Sequence, residues 1–224
     1  MECKDTQILS WGNDCYGKKK EKIIAEFFLT PLAYLKLIPG QKKTGCCGEL
    51  KDRFCIFSYS KIQNKEDKGV FFVGYDCAKQ MIDLINVKKQ AASKPLYELP
   101  PLFDPMSKGF FDEPYHDILH VNKDALEIIL LLASLWDVQR FKGTLPYLLS
   151  KIVRNPSIHL LQQDLIALNA IVGKDQMILN GEVQDFRERL QKEDKRFYCP
   201  PLLSIRAVLD FTNSTCEKPQ INYI

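Results

Sequence analysis

The spacing of hydrophobic positions changes character several times along the chain. In KKKEKIIAEFFLTPLAYLKLIPG, Lys18 to Gly40, the residues Ile23, Ile24, Phe27 and Phe28 recur at helical spacing. That spacing predicts a helix which Pro31 interrupts or restarts and which the Ile38–Gly40 segment closes. Residues 50–60 alternate instead, with Phe54, Ile56 and Ser58 on one side and Cys55, Phe57 and Tyr59 on the other, the period of a strand. Polar QNKEDKG reads as a loop ending at Gly69, and VFFVGY as a second strand rich in aromatic and β-branched residues. DCAKQMIDLINVKK then returns to helical spacing, with Ala78, Met81, Ile82 and Ile85 on one face and Asp76 placed to cap it.

Beyond this turn–hairpin–helix unit, five prolines fall between Pro95 and Pro114. They predict a linker or an irregular strap whose aromatics lie along a surface. From His120 onward the pattern is helical. Asn122 is placed to cap KDALEIILLLASLWDVQRF, Gly143 to stop it, Thr144 to cap LPYLLSKIVRN, and Ser157 to cap IHLLQQDLIALNAIV. GEVQDFRERLQKEDKRF and LLSIRAVLDF follow. Asp185 and Arg189 are spaced for an i,i+4 pair on a solvated face. Short connections predict antiparallel neighbours, four or five in all. The expected fold class is α+β: a small β-hairpin plus helix zinc-finger-like unit, then a mostly α-helical bundle. The expected division is a basic region over 1–95, with the finger-like unit at about 44–90, a Pro-rich strap over 96–119 and the bundle over 120–224.

Composition narrows the class without naming a reaction. A hydrophobic share of 46% and a charged share of 26% over 224 residues predict a packed core. The longest apolar run, Ala125–Trp136, is interrupted by Glu127 and suits a buried helix better than a membrane span. The first twenty residues lack the order of a signal peptide. These features predict a cytoplasmic protein with no membrane partner, and eight cysteines that serve as buried thiols, reactive thiols or metal ligands. Residues 1–95 hold 17 Lys+Arg against 11 Asp+Glu, and residues 96–224 hold 14 against 17. The basic half is the half with the clustered cysteines.

Those cysteines carry the candidate chemistry. Cys46 and Cys47 precede the first strand, Cys55 lies within it, and Cys77 opens the following helix. Zinc requires such donors held tetrahedrally, and a helix N-terminus favours a thiolate. Cys47, Gly48, Arg53, Phe54, Ile56, Val73, Gly74, Cys77 and Ala78 resemble a short zinc-finger module of phage and mobile-element proteins, over roughly residues 44–85. The pattern departs at Thr44, where the module has its first cysteine, and after Cys77, where no second ligand follows at helical spacing. Zinc held by Cys46, Cys47, Cys55 and Cys77, or with Cys3, Cys15 or His116, is one account. An apolar core in place of metal is the other, and mid-strand Cys55 suits a small buried residue.

The resemblance implies nucleic-acid or protein binding, and the setting of a phage-defence or toxin–antitoxin effector. Lys42, Lys43, Lys51, Arg53, Lys61 and Lys65, interleaved with aromatics, are the candidate phosphate contacts. His116 and His120 stand four apart and form an alternative metal or catalytic pair, with Glu113 or Asp117 beside them. His159 sits between two apolar residues and reads as structural. A non-enzymatic nucleic-acid-binding or protein-binding role is therefore the first expectation. A metal-dependent nuclease using His116 and His120, and an interaction scaffold, are the alternatives.

Overall fold

The computed structural model describes residues 19–106, 109–110 and 115–174. The chain has a mixed α+β fold built on a five-stranded sheet. In chain order the elements are α1 (Lys19–Glu26), β1 (Phe27–Lys36), β2 (Thr44–Gly45), β3 (Gly48–Glu49), β4 (Arg53–Lys61), β5 (Lys68–Gly74) and α2 (Tyr75–Ala91). Then come β6 (Leu102–Asp104), β7 (Gly109–Phe110), α3 (His120–Leu135), α4 (Thr144–Arg154) and α5 (Gln162–Lys174). The sheet order is β5-β4-β1-β6-β7, and β2 and β3 form a separate small hairpin.

The hairpin and helix expected from residues 50–90 form as β4, β5 and α2, with Ile56 opposite Phe72 and Cys55 opposite Val73. The stretch before them differs from expectation. Helix α1 ends at Glu26, and Phe27–Lys36 is a central strand, antiparallel to β4 and parallel to β6. Pro31 sits where the register shifts between Pro31 and Ala33. A residue without an N–H breaks a helix but fits a bulge. An apolar run buried on both faces lacks the alternation that marks a strand, so its period could not separate strand from helix.

Both faces of the sheet are covered. Leu29, Cys55, Phe57, Phe71 and Val73 pack under α1 and α2 with Ile23, Ala78, Met81 and Ile85. Leu35, Phe54, Ile56 and Phe72 pack on the opposite face with Ile129, Leu132, Leu145 and Leu148 of α3 and α4. Helix α3 is buried around nearly its whole circumference, as expected of a helix apolar on all sides. Helices α3, α4 and α5 therefore share the core of the sheet with the N-terminal half. The strap contributes β6, which joins β1 at Tyr34 and Leu35. Residues beyond 174, Asp185 and Arg189 among them, lie outside the described residues.

The expected caps Asp76, Asn122 and Thr144 do not stand at the N-cap positions, which are Gly74, Leu119 and Gly143 for α2, α3 and α4. Gly74 stands at the α2 N-cap, with no side-chain cap bond. Asn122 lies inside the first turn of α3. Its amide donates to the carbonyls of Pro156 and Ile158, 2.7 Å each, and accepts from the Leu160 N–H, tying α3 to the α4–α5 connection. Helix α5 begins at Gln162, later than Ser157 implied, with Asp164 accepting from the Leu161 N–H at 2.9 Å. Among the described residues, no helix is long and apolar enough to cross a membrane.

The small hairpin is pinned to β5. The Cys46 N–H donates to the Phe72 carbonyl at 2.8 Å. This approach requires glycine at position 45, where a Cβ would lie 2.5 Å from Leu50 Cδ2 and 2.8 Å from the Phe72 carbonyl oxygen. The leucine methyl can rotate away, but the strand carbonyl cannot. Gly45→Ala is expected to lower stability by about 1–3 kcal/mol through overpacking. An unchanged urea midpoint would show that the hairpin does not depend on that contact.

Candidate nucleic-acid interface

The strand register places polar side chains in rows at one end of the sheet. On the face that α3 and α4 cover, Ala33, Ile56 and Phe72 are aligned across β1, β4 and β5 and are buried. The next row along the same face is Thr30, Ser58 and Val70. The row after it is Phe28, Ser60 and Lys68. The sheet face thus changes from apolar to hydroxyl and cationic within four residues of β4.

A groove of about 550 Å³ opens over these two rows. Its second wall is α4, with Tyr147, Ser150, Lys151 and Arg154 at the i, i+3, i+4 and i+7 positions of one face. The α3–α4 connection adds Phe141, Lys142 and Gly143, and the β4–β5 loop adds Lys65. Among the described residues, five cations line the groove, and no carboxylate or imidazole does. Lys151 is held by Asp164 at 2.5 Å and lies 5.9 Å from the Tyr147 ring centre. Among the described residues, Lys65, Lys68, Lys142 and Arg154 have no ion-pair partner. Phe28 and Tyr147 are 56% and 59% exposed, so two aromatic faces stand open beside the cations. The groove accordingly offers charge for phosphates, hydroxyls for polar edges and rings for stacking.

Of the six cations expected from the sequence, Lys65 lines this groove and the other five do not. Lys42 and Lys51 are exposed on the segments flanking the small hairpin. Arg53 bonds Asp52 at 2.9 Å and lies over the Tyr75 ring at 4.7 Å. Lys61 stands 4.0 Å from Asp67. Lys43 is a correction, because it is 3% exposed and lies in the core. Its ammonium donates to the carbonyls of Ala133, at 3.0 Å, and Trp136 at the end of α3, with the Phe54 and Phe72 rings beside it. A side chain so enclosed caps a helix C-terminus and does not reach a phosphate.

The cysteines divide. Cys46 and Cys47 are the two residues between β2 and β3, with their sulfurs 3.3 Å apart. Cys77 lies half-buried in the first turn of α2. Burial raises the Cys77 pKa, Cys47 adds to the rise, and Lys20 opposes it. Cys55 does not join them. It is wholly buried between β1 and β5, and burial pushes its thiol up to about 12. Among the described residues, no group of three or more His, Cys, Asp or Glu side chains is arranged to hold a metal ion. The four-cysteine zinc set is thus not assembled there, while Cys3 and Cys15 lie outside the described residues.

His116 is fully exposed in a turn, its Nδ1 3.8 Å from Asp117, which adopts a left-handed backbone with φ 58°. His120 is the exposed first residue of α3, so the pair does not share a helical face. Glu113 lies outside the described residues. Compared with protein-family models, curated proteins and solved structures, the chain finds no match.

Sequence reasoning missed the groove because Phe28, Ser58, Lys142 and Arg154 come from three distant segments. A partial signal was present in β4, where Phe54 and Ile56 give way to Ser58 and Ser60 at the same parity.

Burial lowers the Lys43 pKa from 10.5 to about 7, with Asp137 opposing the shift. Between about pH 7 and the ordinary lysine range, the unfolded chain holds a proton that the folded chain has released. Folding stability from this group therefore rises with pH across that window, and its penalty is fully present below it. Relative to Lys43→Met, the wild type should gain about 2 kcal/mol in denaturant titrations between pH 6.5 and 9. A pH-independent difference between the two proteins would refute a buried, titrating Lys43.

Proposed function

We propose that the chain binds single-stranded nucleic acid in the groove between the hydroxyl-bearing end of the sheet and α4, without cleaving it. The observation that carries this reading is the convergence, among the described residues, of five cations and two exposed aromatic rings on one groove. The cations attract a phosphate backbone, and Phe28 and Tyr147 offer platforms for unpaired bases. A duplex keeps its bases stacked on one another and has no ring faces to give, which favours a single strand. Among the described residues, the lining holds hydroxyls and no carboxylate or imidazole placed as a general base, which favours binding over hydrolysis. This reading keeps the binding role expected from the sequence and moves its seat from the small hairpin to the groove.

Anisotropy titrations with a labelled single strand, repeated across salt concentrations, test the reading. The logarithm of the affinity should fall linearly with the logarithm of salt. Lys68→Ala and Arg154→Ala should each reduce the slope by about 0.7. Tyr147→Ala should weaken binding by about 1–3 kcal/mol with little change in slope. Lys42→Ala and Lys51→Ala should leave both quantities unchanged, and a duplex of equal length should bind more weakly. Absence of binding, or a slope indifferent to Lys68→Ala and Arg154→Ala together, would remove the groove from consideration.

A further inference from the structure

The floor and the walls of the groove differ in chemistry. Among the described residues, four of its five cations stand on α4 and the loops, and Lys68 comes from a strand. The hydroxyls of Thr30, Ser58 and Ser60 belong to the sheet, and Ser150 faces them from α4. Strand β4 lies between β1 and β5, so Ser58 and Ser60 occupy the middle of the floor. Thr30 and Phe28 flank them on one side, Val70 and Lys68 on the other. Two residues apart on one strand face, the two serines are separated by about 6.5–7 Å. That step is close to the reach of one nucleotide in an extended single strand.

These hydroxyls are half-buried and only partly engaged. Among the described residues, those of Ser60 and Ser150 have no protein partner. The Ser58 hydroxyl donates to the Thr30 carbonyl over a long 3.5 Å, which leaves its oxygen as an acceptor. The Thr30 hydroxyl is engaged by the Tyr97 hydroxyl at 3.2 Å. Water satisfies the free groups while the groove is open. A strand that stacks on Phe28 and Tyr147 covers the floor and displaces that water, so the ligand must then supply the missing partners. A phosphodiester oxygen accepts hydrogen bonds and cannot donate one to Ser58. A deoxyribose carries neither donor nor acceptor at its 2′ carbon, whereas a ribose 2′-hydroxyl is both.

We propose that the groove selects RNA over DNA, with Ser58 and Ser60 exchanging hydrogen bonds with the 2′-hydroxyls of successive nucleotides. This selection rests on the single-strand binding proposed above and adds recognition of the sugar. The cations of the walls take the phosphates, the two rings take bases, and the serines of the floor read the ribose. A deoxy strand covers the same floor but leaves both serines without a partner, the means by which a site built for a hydroxyl rejects the analogue that lacks it. The serines are half-buried rather than enclosed, so two such bonds discriminate by about tenfold.

Anisotropy titrations of the full-length chain with labelled oligouridylate, its 2′-deoxy counterpart and its 2′-fluoro counterpart test the selection. All three carry the same base and the same phosphates, and the fluoro strand keeps a ribose-like sugar shape without a hydroxyl proton. Oligouridylate should bind about tenfold more tightly than either of the others, with similar salt slopes for all three. Ser58→Ala and Ser60→Ala together should weaken oligouridylate several-fold more than the deoxy strand and bring the ratio toward one. Equal affinity for the ribose and deoxy strands, or equally tight binding of the fluoro strand, would overturn the sugar selection and leave single-strand binding in place. So would a ribose preference that the two serine substitutions do not reduce. Binding of none of the three would remove single-strand binding and the sugar selection with it. The wild-type comparison decides the matter even if the double substitution fails to fold.

Discussion

Two strands that bury both of their faces set the terms for this fold. Residues Phe54 to Phe57 of β4 are all fully buried, alternating between one core and the other. Such a strand is stable only if both sides are roofed. One roof comes from α1 and α2, which adjoin the strands in sequence. The other comes from α3 and α4, which follow only after the proline-rich strap. The two halves of the chain are thereby committed to one another, and the strap spans between them while lending β6 to the sheet. The groove follows from the same geometry. At the Thr30 and Phe28 rows α4 and the loops stand apart from the sheet as walls, and the strand face turns to Ser58 and Ser60, which tolerate water.

What was legible in the sequence was local. The β4–β5–α2 unit has its hydrogen-bond partners within a few dozen residues, and its alternation, loop and helical spacing all agree. Strand β1 was misread because a strand with two buried faces loses its period-two signal, and Pro31 looks like a helix breaker until the bulge is seen. Asn122 had the chemistry of a cap, and nothing nearby in sequence pointed to the Pro156 and Ile158 carbonyls it serves. Cys55 was counted among the candidate zinc ligands, although its mid-strand place also suited the small buried residue that it is.

Charge was the least legible property. Lys43 and Lys68 are the same residue in the same basic half of the chain. One is sealed against a helix terminus and two rings, while the other faces an open groove. Three of the five groove cations, Lys142, Lys151 and Arg154, come from the half whose net charge is negative. Counting charges along the chain could not find a site that folding assembles from both halves. Burial and register decide which lysines are available, and neither is a property of composition.

The enclosure of Lys43 has a kinetic corollary. An amine that titrates near neutrality is a good nucleophile toward acylating reagents, yet this one is shut behind the end of α3. A reagent meets it only when that helix end parts from the segment between β1 and β2. The rate at which Lys43 becomes labelled would therefore count local openings of the α3 terminus. Exposed lysines on the same molecule would record only reagent chemistry, so the protein carries its own internal clock for that motion.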